Sequence, residues 1–163
     1  MKADYINPFI ESVHEIFTTM LGCNLERGDV SLSKAGGGTR DLTALIGLSG
    51  PARGMVALSF PVKTALSVVG ALLGSEIRIV DDTVSDGVAE LVNMVAGAAK
   101  AKFCRGDSIP IDLSLPTVVR GNSYSVDYPS HSTWLEIPFK CDLGSFDLRV
   151  TFEMDSSRNG GAK

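Results

Sequence analysis

Residues 84–103 constrain the fold more than any other segment. Written as a helix, they put Val88, Leu91, Val92, Val95, Ala99 and Phe103 on one side. That continuous apolar stripe has to be buried against another layer. Asp86, Glu90, Asn93, Gly97 and Lys100 follow at steps of four, three, four and three and share a different face, turned away from the core. Asp81, Asp82 and Thr83 stand just ahead, where a side-chain oxygen caps a helix and negative charge suits its dipole.

The segments around this helix divide cleanly. Asn7-Pro8 opens an amphipathic helix carrying Ile10, Val13, Ile16, Phe17, Met20 and Leu21, with Gly22 as its stop. His14 falls on its rim. A strand is expected over Asp29 to Lys34, with Val30 and Leu32 on one face. Gly36-Gly37-Gly38 reads as a turn; with no Lys-Ser/Thr after it, a phosphate cradle gets little support. Residues 41–60 alternate as a hairpin turning at Ser49 to Arg53, and Pro61 starts a helix over Val62 to Leu73 closed by Gly74. After the long helix the pattern is β. Strands are expected at Ile111 to Leu115, Tyr124 to Tyr128, Leu135 to Cys141 and Phe146 to Met154, the last pair meeting at a turn over Asp142 to Ser145. Pro138 cannot donate to a ladder and implies an edge or a bulge.

The fold class is therefore α+β. A helix followed by an antiparallel meander occurs about twice, and two such units can pair their sheets or pack pseudo-symmetrically. The 163 residues fit one domain over 1–154 with a small, polar tail at 155–163, expected to be disordered. A net charge of −4 and no basic run argue against nucleic-acid binding. The apolar stretch Val62 to Leu73 is too short to span a bilayer, and no signal peptide is evident. Cys23, Cys104 and Cys141 form no CxxC and stand near no histidine in sequence, so reduced thiols in a cytoplasmic protein, and no metal site, are expected. Tyr124, Tyr128 and Trp134 read as core or interface rather than a ligand cage.

Chemistry is left to Glu90 and Asn93. A Glu and an Asn so spaced can simply be a solvated face. Asn is, however, a mediocre mid-helix residue, and Gly97 one turn on costs about 1 kcal/mol relative to Ala. Gly97 either accommodates a crossing element of the same fold or leaves room for a partner. A carboxamide has no useful pKa, but it can accept and donate hydrogen bonds and so orient a water. That helps only where the electrophile is already activated. No Ser/His/Asp triad, Cys/His pair or metal cluster competes.

The run Asp86-x-x-x-Glu90-x-x-Asn93, followed by Met94-Val95-Ala96-Gly97, resembles the motif of the CheC/CheX/FliY phosphatases of bacterial chemotaxis. The order of elements fits over nearly the whole chain. One motif copy, in the second half, resembles the CheX arrangement; the first helix offers Glu11, Glu15 and Thr18 but no Glu-x-x-Asn. The resemblance implies a phosphatase acting on a phosphorylated CheY-type receiver. Asn93 would orient the attacking water and Glu90 would pair with the receiver's lysine. Asp86, Gly97 and Lys100 would belong to the partner-binding face. No cofactor of its own is implied, since the Mg²⁺ belongs to the receiver. A homodimer with an extended sheet is also implied. The alternative is a non-catalytic CheC-like module that recognises a receiver or a flagellar-switch partner.

Overall fold

In a computed structural model of the chain, describing residues 3–33, 40–105, 109–121, 124–126 and 133–154, three helices lie on an eight-stranded antiparallel sheet. A short 3-10 turn, Ala3–Tyr5, leads into α1 (Asn7–Leu21). Then come β1 (Glu26–Arg27), β2 (Ser31–Ser33), β3 (Leu42–Ser49), β4 (Ala52–Phe60), α2 (Val62–Leu73), α3 (Asp82–Arg105), β5 (Asp112–Leu113), β6 (Thr117–Arg120), β7 (Trp134–Cys141) and β8 (Gly144–Met154). Gly22 and Gly74 end α1 and α2 in the left-handed conformation expected of them, at φ 65° and 69°.

The sheet runs β1-β7-β8-β4-β3-β5, with β2 also on β7 and β6 also on β3. The two long hairpins, β3–β4 and β7–β8, meet at the β4–β8 seam. The short strands of each half then pair with the hairpin of the other half: β1 and β2 with β7, β5 and β6 with β3. Two helix-plus-strand units are present, but neither is the expected meander: within each only the two long strands pair, and the short strands cross over to close the other unit's edge. Among the described residues no helix is long and apolar enough to cross a membrane.

Three strand expectations need correction. The strand at Asp29 to Lys34 is only Ser31–Ser33, and its apolar members stay outside the core, Leu32 at 74% exposure. The strand over Ile111 to Leu115 is two residues long, and Leu115 is 88% exposed. Pro116 follows it, and the pairing with β3 resumes in β6, which alternation did not mark. Tyr124 to Val126 is not a strand; Tyr124 donates its hydroxyl to Thr43 Oγ1 at 2.6 Å instead. Of the two readings of Pro138, an edge or a bulge, the register bears out the bulge: Arg27 pairs with Phe139 and Ser31 with Glu136, so the short strands carry one extra residue opposite Pro138, and β7 itself lies between β8 and β1/β2. The Pro138 carbonyl accepts from Gly28 N–H at 2.8 Å. The N–H and C=O of one antiparallel residue point the same way, so the missing donor falls on the short-strand side. The glycine run at 36–38, Tyr128, and the tail lie outside the described residues.

The even-numbered side chains of β4 and β8 and the stripe of α3 form one core with Phe9, Val13 and Phe17 of α1. Rings stack through it, Phe17 on Phe146 at 4.5 Å and Phe103 on Phe152 at 5.6 Å. The opposite face of the sheet is buried as well. Asp147, Arg149 and Thr151 of β8 are at most 5% exposed. Arg40 pairs with Asp147 at 2.9 Å, and the Arg149 guanidinium sits over the buried Trp134 ring at 5.2 Å. Trp134 is thus core, as expected.

Candidate functional site

α3 begins as its sequence dictates. Asp81 caps it, its carboxylate accepting from Val84 N–H at 3.2 Å and its carbonyl from Ser85 N–H at 3.1 Å. Arg120 of β6 reaches across to Ser85 Oγ at 2.6 Å and to Asp82 at 3.4 Å. A short strand from the second half of the chain therefore fixes the first turn of α3, something no local pattern announced. Val84, Val88, Leu91, Val92, Val95, Ala99 and Phe103 are all buried, so the helix cannot rotate about its axis.

With that stripe down, the other face is set. Asp86, Glu90 and Asn93 are exposed, Gly97 and Lys100 half-buried. The five candidate residues lie on one helix in the predicted order, and none of the three exposed ones has a side-chain hydrogen bond or ion pair among the described residues. A Glu and an Asn one turn apart, both pointing at solvent with unsatisfied capacity, can grip a cation and hold a water, but cannot abstract a proton strongly or bind a metal unaided.

Two glycines of α3 separate structure from surface. A Cβ at Gly87 would meet Val69 of α2 at 2.6 Å, so Gly87 lets the two helices touch. A Cβ at Gly97 would meet nothing within 4 Å. Of the two readings open for Gly97, accommodation of a crossing element is therefore ruled out among the described residues. The sequence alone did not distinguish these glycines, because the neighbour that matters to Gly87 lies on α2.

α1 packs beside α3, and Lys102 reaches Glu15 at 2.8 Å. The hydrogen bond and charge of Lys102 lower the Glu15 carboxyl below its ordinary value. A carboxyl lowered on folding adds stability above its unfolded value and loses it as pH falls through the folded one. Lys102→Ala should return the Glu15 titration, followed by NMR, to the ordinary carboxylate range.

β1 and β2 follow one another at the same spacing as β5 and β6. Carried back along the chain, that equivalence sets Phe17 against Phe103, both stacked on β8 phenylalanines, and Asp4 and Asn7 against Glu90 and Asn93. Asp4 lies in the 3-10 turn and Ile6 caps α1 before Asn7. The counterpart pair thus spans a helix boundary rather than one helical face, and the first half has no equivalent of the α3 pair.

The sequence profile of the family described as Chemotaxis phosphatase CheX matches residues 42–140, which include all of α3. The chain belongs to the CheX family. The CheY-P phosphatase CheX of Thermotoga maritima is 32% identical over 153 residues, covering 93% of this chain and 97% of that protein. Among solved structures, a CheC-like superfamily protein from Shewanella sp. PV-4 superposes with a TM-score of 0.84 at 30% identity, covering 94% of this chain and 99% of the other. Chemotaxis protein CheX from Vibrio vulnificus does so at 0.82 and 27%, covering 93% and 100%. The CheX fold of three helices on an antiparallel sheet is thus the fold seen here, with α3 packed against both other helices and the sheet.

Proposed function

We propose that this CheX-family chain hydrolyses the aspartyl phosphate of a phosphorylated CheY-type receiver. The observation that carries the reading is the exposed Asn93 carboxamide, with no hydrogen-bond partner among the described residues, one turn from Glu90 on a rigidly seated helix. α3 docks over the receiver's phosphoryl group. Glu90 pairs with the receiver's lysine and fixes the register. The Asn93 carboxamide holds a water in line with the phosphorus and the aspartyl oxygen. The water oxygen bonds to phosphorus as the phosphorus–aspartyl oxygen bond breaks. The electron pair returns to the carboxylate, the second water proton passes to a phosphoryl oxygen, and inorganic phosphate leaves. Charge on the transferring group is balanced by Mg²⁺ held by the receiver, so this chain supplies position rather than charge. An aspartyl phosphate is already labile, and a gain of about 100-fold, near 3 kcal/mol, is within what positioning can supply.

Gly97 belongs to the docking face, leaving a bare backbone where the receiver comes close, flanked by Asp86 and Lys100. Gly97→Ala should therefore have opposite effects on two readouts. It should raise stability by about 1 kcal/mol, as Ala replaces Gly in a helix with free space around it, and raise the receiver concentration needed for half-maximal dephosphorylation. Stabilisation with unchanged dephosphorylation would remove Gly97 from the interface. The family resemblance also implies a homodimer with a continued sheet, and the exposed Leu32 on β2 is an apolar side chain such a seam would cover; sedimentation equilibrium reads the mass directly. The function is tested by the lifetime of a phosphorylated CheY-type receiver with and without this protein. Acceleration supports it, and binding with an unchanged lifetime favours a recognition module.

A further inference from the structure

Cys23, Cys141 and Asp142 meet although they come from opposite halves of the chain. Cys23 follows the left-handed Gly22 at the end of α1, and its N–H donates to the Phe17 carbonyl at 3.1 Å. Cys141 is the last residue of β7, and Asp142 opens the turn into β8. The two sulfurs and a carboxylate oxygen all lie within 4.8 Å of one another. Cys23 is buried, Cys141 half-buried and Asp142 exposed, so the group has an inner sulfur, a rim sulfur and a carboxylate at its mouth.

We propose that Cys23, Cys141 and Asp142 form a binding site for one borderline divalent cation of the Zn²⁺ type, with water as the fourth ligand.

The geometry fits that cation. Zinc holds sulfur at about 2.3 Å and carboxylate oxygen at about 2.0–2.2 Å in a tetrahedron, which sets neighbouring ligand atoms roughly 3.5–3.8 Å apart. A cluster already inside 4.8 Å closes onto such an ion by small side-chain rotations. Neither thiol is held by a strong bond: Cys23 Sγ donates to the Leu21 carbonyl at 3.8 Å and Cys141 Sγ to the Gly144 carbonyl at 3.6 Å. Two sulfurs match zinc and disfavour the hard, oxygen-seeking Mg²⁺ and Ca²⁺. Deprotonated, the three groups would set like charges side by side in a site only partly open to water, and a cation resolves that conflict. Binding releases the thiol protons, so affinity rises with pH. Because Cys23 follows directly on the cap of α1 and Cys141 ends β7, the ion would clasp the end of the first helix to the last hairpin. Its role would be to hold the scaffold, with no part in the reaction at Asn93.

The test uses the full chain, reduced, with Co²⁺ as a spectroscopic probe and Zn²⁺ competing against a chromophoric chelator. One equivalent of Co²⁺ should give thiolate-to-metal charge transfer and intense tetrahedral bands, and Zn²⁺ should displace it. Cys141→Ser should weaken Zn²⁺ binding at least tenfold and reduce the charge-transfer intensity. Asp142→Asn should weaken binding while keeping that intensity. Cys104→Ser, whose thiol lies outside the cluster, should change neither. Zn²⁺ should also raise the unfolding midpoint of the wild type in proportion to the logarithm of its concentration. Cys23 is buried, so Cys141→Ser and Asp142→Asn carry the test. The proposal is overturned by a reduced protein with no cobalt-thiolate band, by binding that survives Cys141→Ser, by loss of binding in Cys104→Ser, or by two thiols that oxidise to a disulfide yet take no Zn²⁺ when reduced. Each outcome is independent of receiver dephosphorylation, which is read separately.

Discussion

Asn93→Ala should abolish accelerated dephosphorylation of the receiver and leave the fold as it was. The side chain is exposed and makes no contact that the fold depends on, and Ala is the better helix former, so stability should hold or rise by a few tenths of a kcal/mol. The loss of rate should be the whole enzymatic gain, about 100-fold or near 3 kcal/mol, because no other side chain within a turn of Asn93 on α3 has both a donor and an acceptor to offer a water. Receiver binding should survive, since the proposed ion pair of Glu90 is untouched. Glu90→Gln should divide the other way, raising the receiver concentration for half-maximal rate far more than it lowers the rate at saturation. Stopped-flow fluorescence of the receiver separates the two. An Asn93→Ala protein that dephosphorylates at the wild-type rate would take the water-positioning role away from Asn93.

The largest effect on stability should come from Gly54→Ala. Gly54 lies in β4 opposite Phe152 of β8, in the seam that joins the two halves. A Cβ there would overlap the backbone carbonyl of Thr151. A flexible side chain could turn aside, but a carbonyl in the central ladder cannot move without breaking the pairing around it. Overpacking commonly costs 1–3 kcal/mol. With backbone as the obstacle the cost should exceed about 3 kcal/mol, a large share of the roughly 5–15 kcal/mol that holds a domain folded. Urea unfolding followed by circular dichroism should show a strongly lowered midpoint or no folded protein. A change below about 1 kcal/mol would mean that β4 and β8 separate more easily than their register implies.

The helices were legible in the sequence because their signals are local. Apolar spacing, Pro8 and Pro61 near helix starts, and Gly22 and Gly74 at their ends set α1 and α2, and the Asp81 cap and the apolar stripe set α3. The two long hairpins were legible for the same reason. The short strands were legible only in part: β2 and β5 fall inside expected strands that proved longer than the real ones, and β1 and β6 were not marked at all. β1, β2, β5 and β6 exist because each half lends its edge to the other, and two to four residues carry no periodicity that records a partner more than sixty positions away. The buried polar face of β8 was equally hidden: Asp147 and Arg149 read as ordinary alternating polar positions, yet Arg40, Glu136 and Trp134 enclose them. The face bearing Asp86, Glu90 and Asn93 was readable because it lies on one helix whose opposite side is unambiguous. What could not be read was the clear space at Gly97, the hold of Arg120 on the helix start, and the meeting of Cys23 with Cys141 and Asp142. Each depends on a neighbour distant in sequence.

The most direct test of the account is a turnover measurement. A phosphorylated CheY-type receiver is mixed with this protein at a small fraction of its concentration, and released inorganic phosphate is followed in time. The account predicts that each copy releases many phosphates and that the initial rate is proportional to the amount of protein added. Phosphate released only at the receiver's intrinsic rate, with the protein bound to the receiver at the concentrations used, would contradict it and leave α3 as a recognition surface.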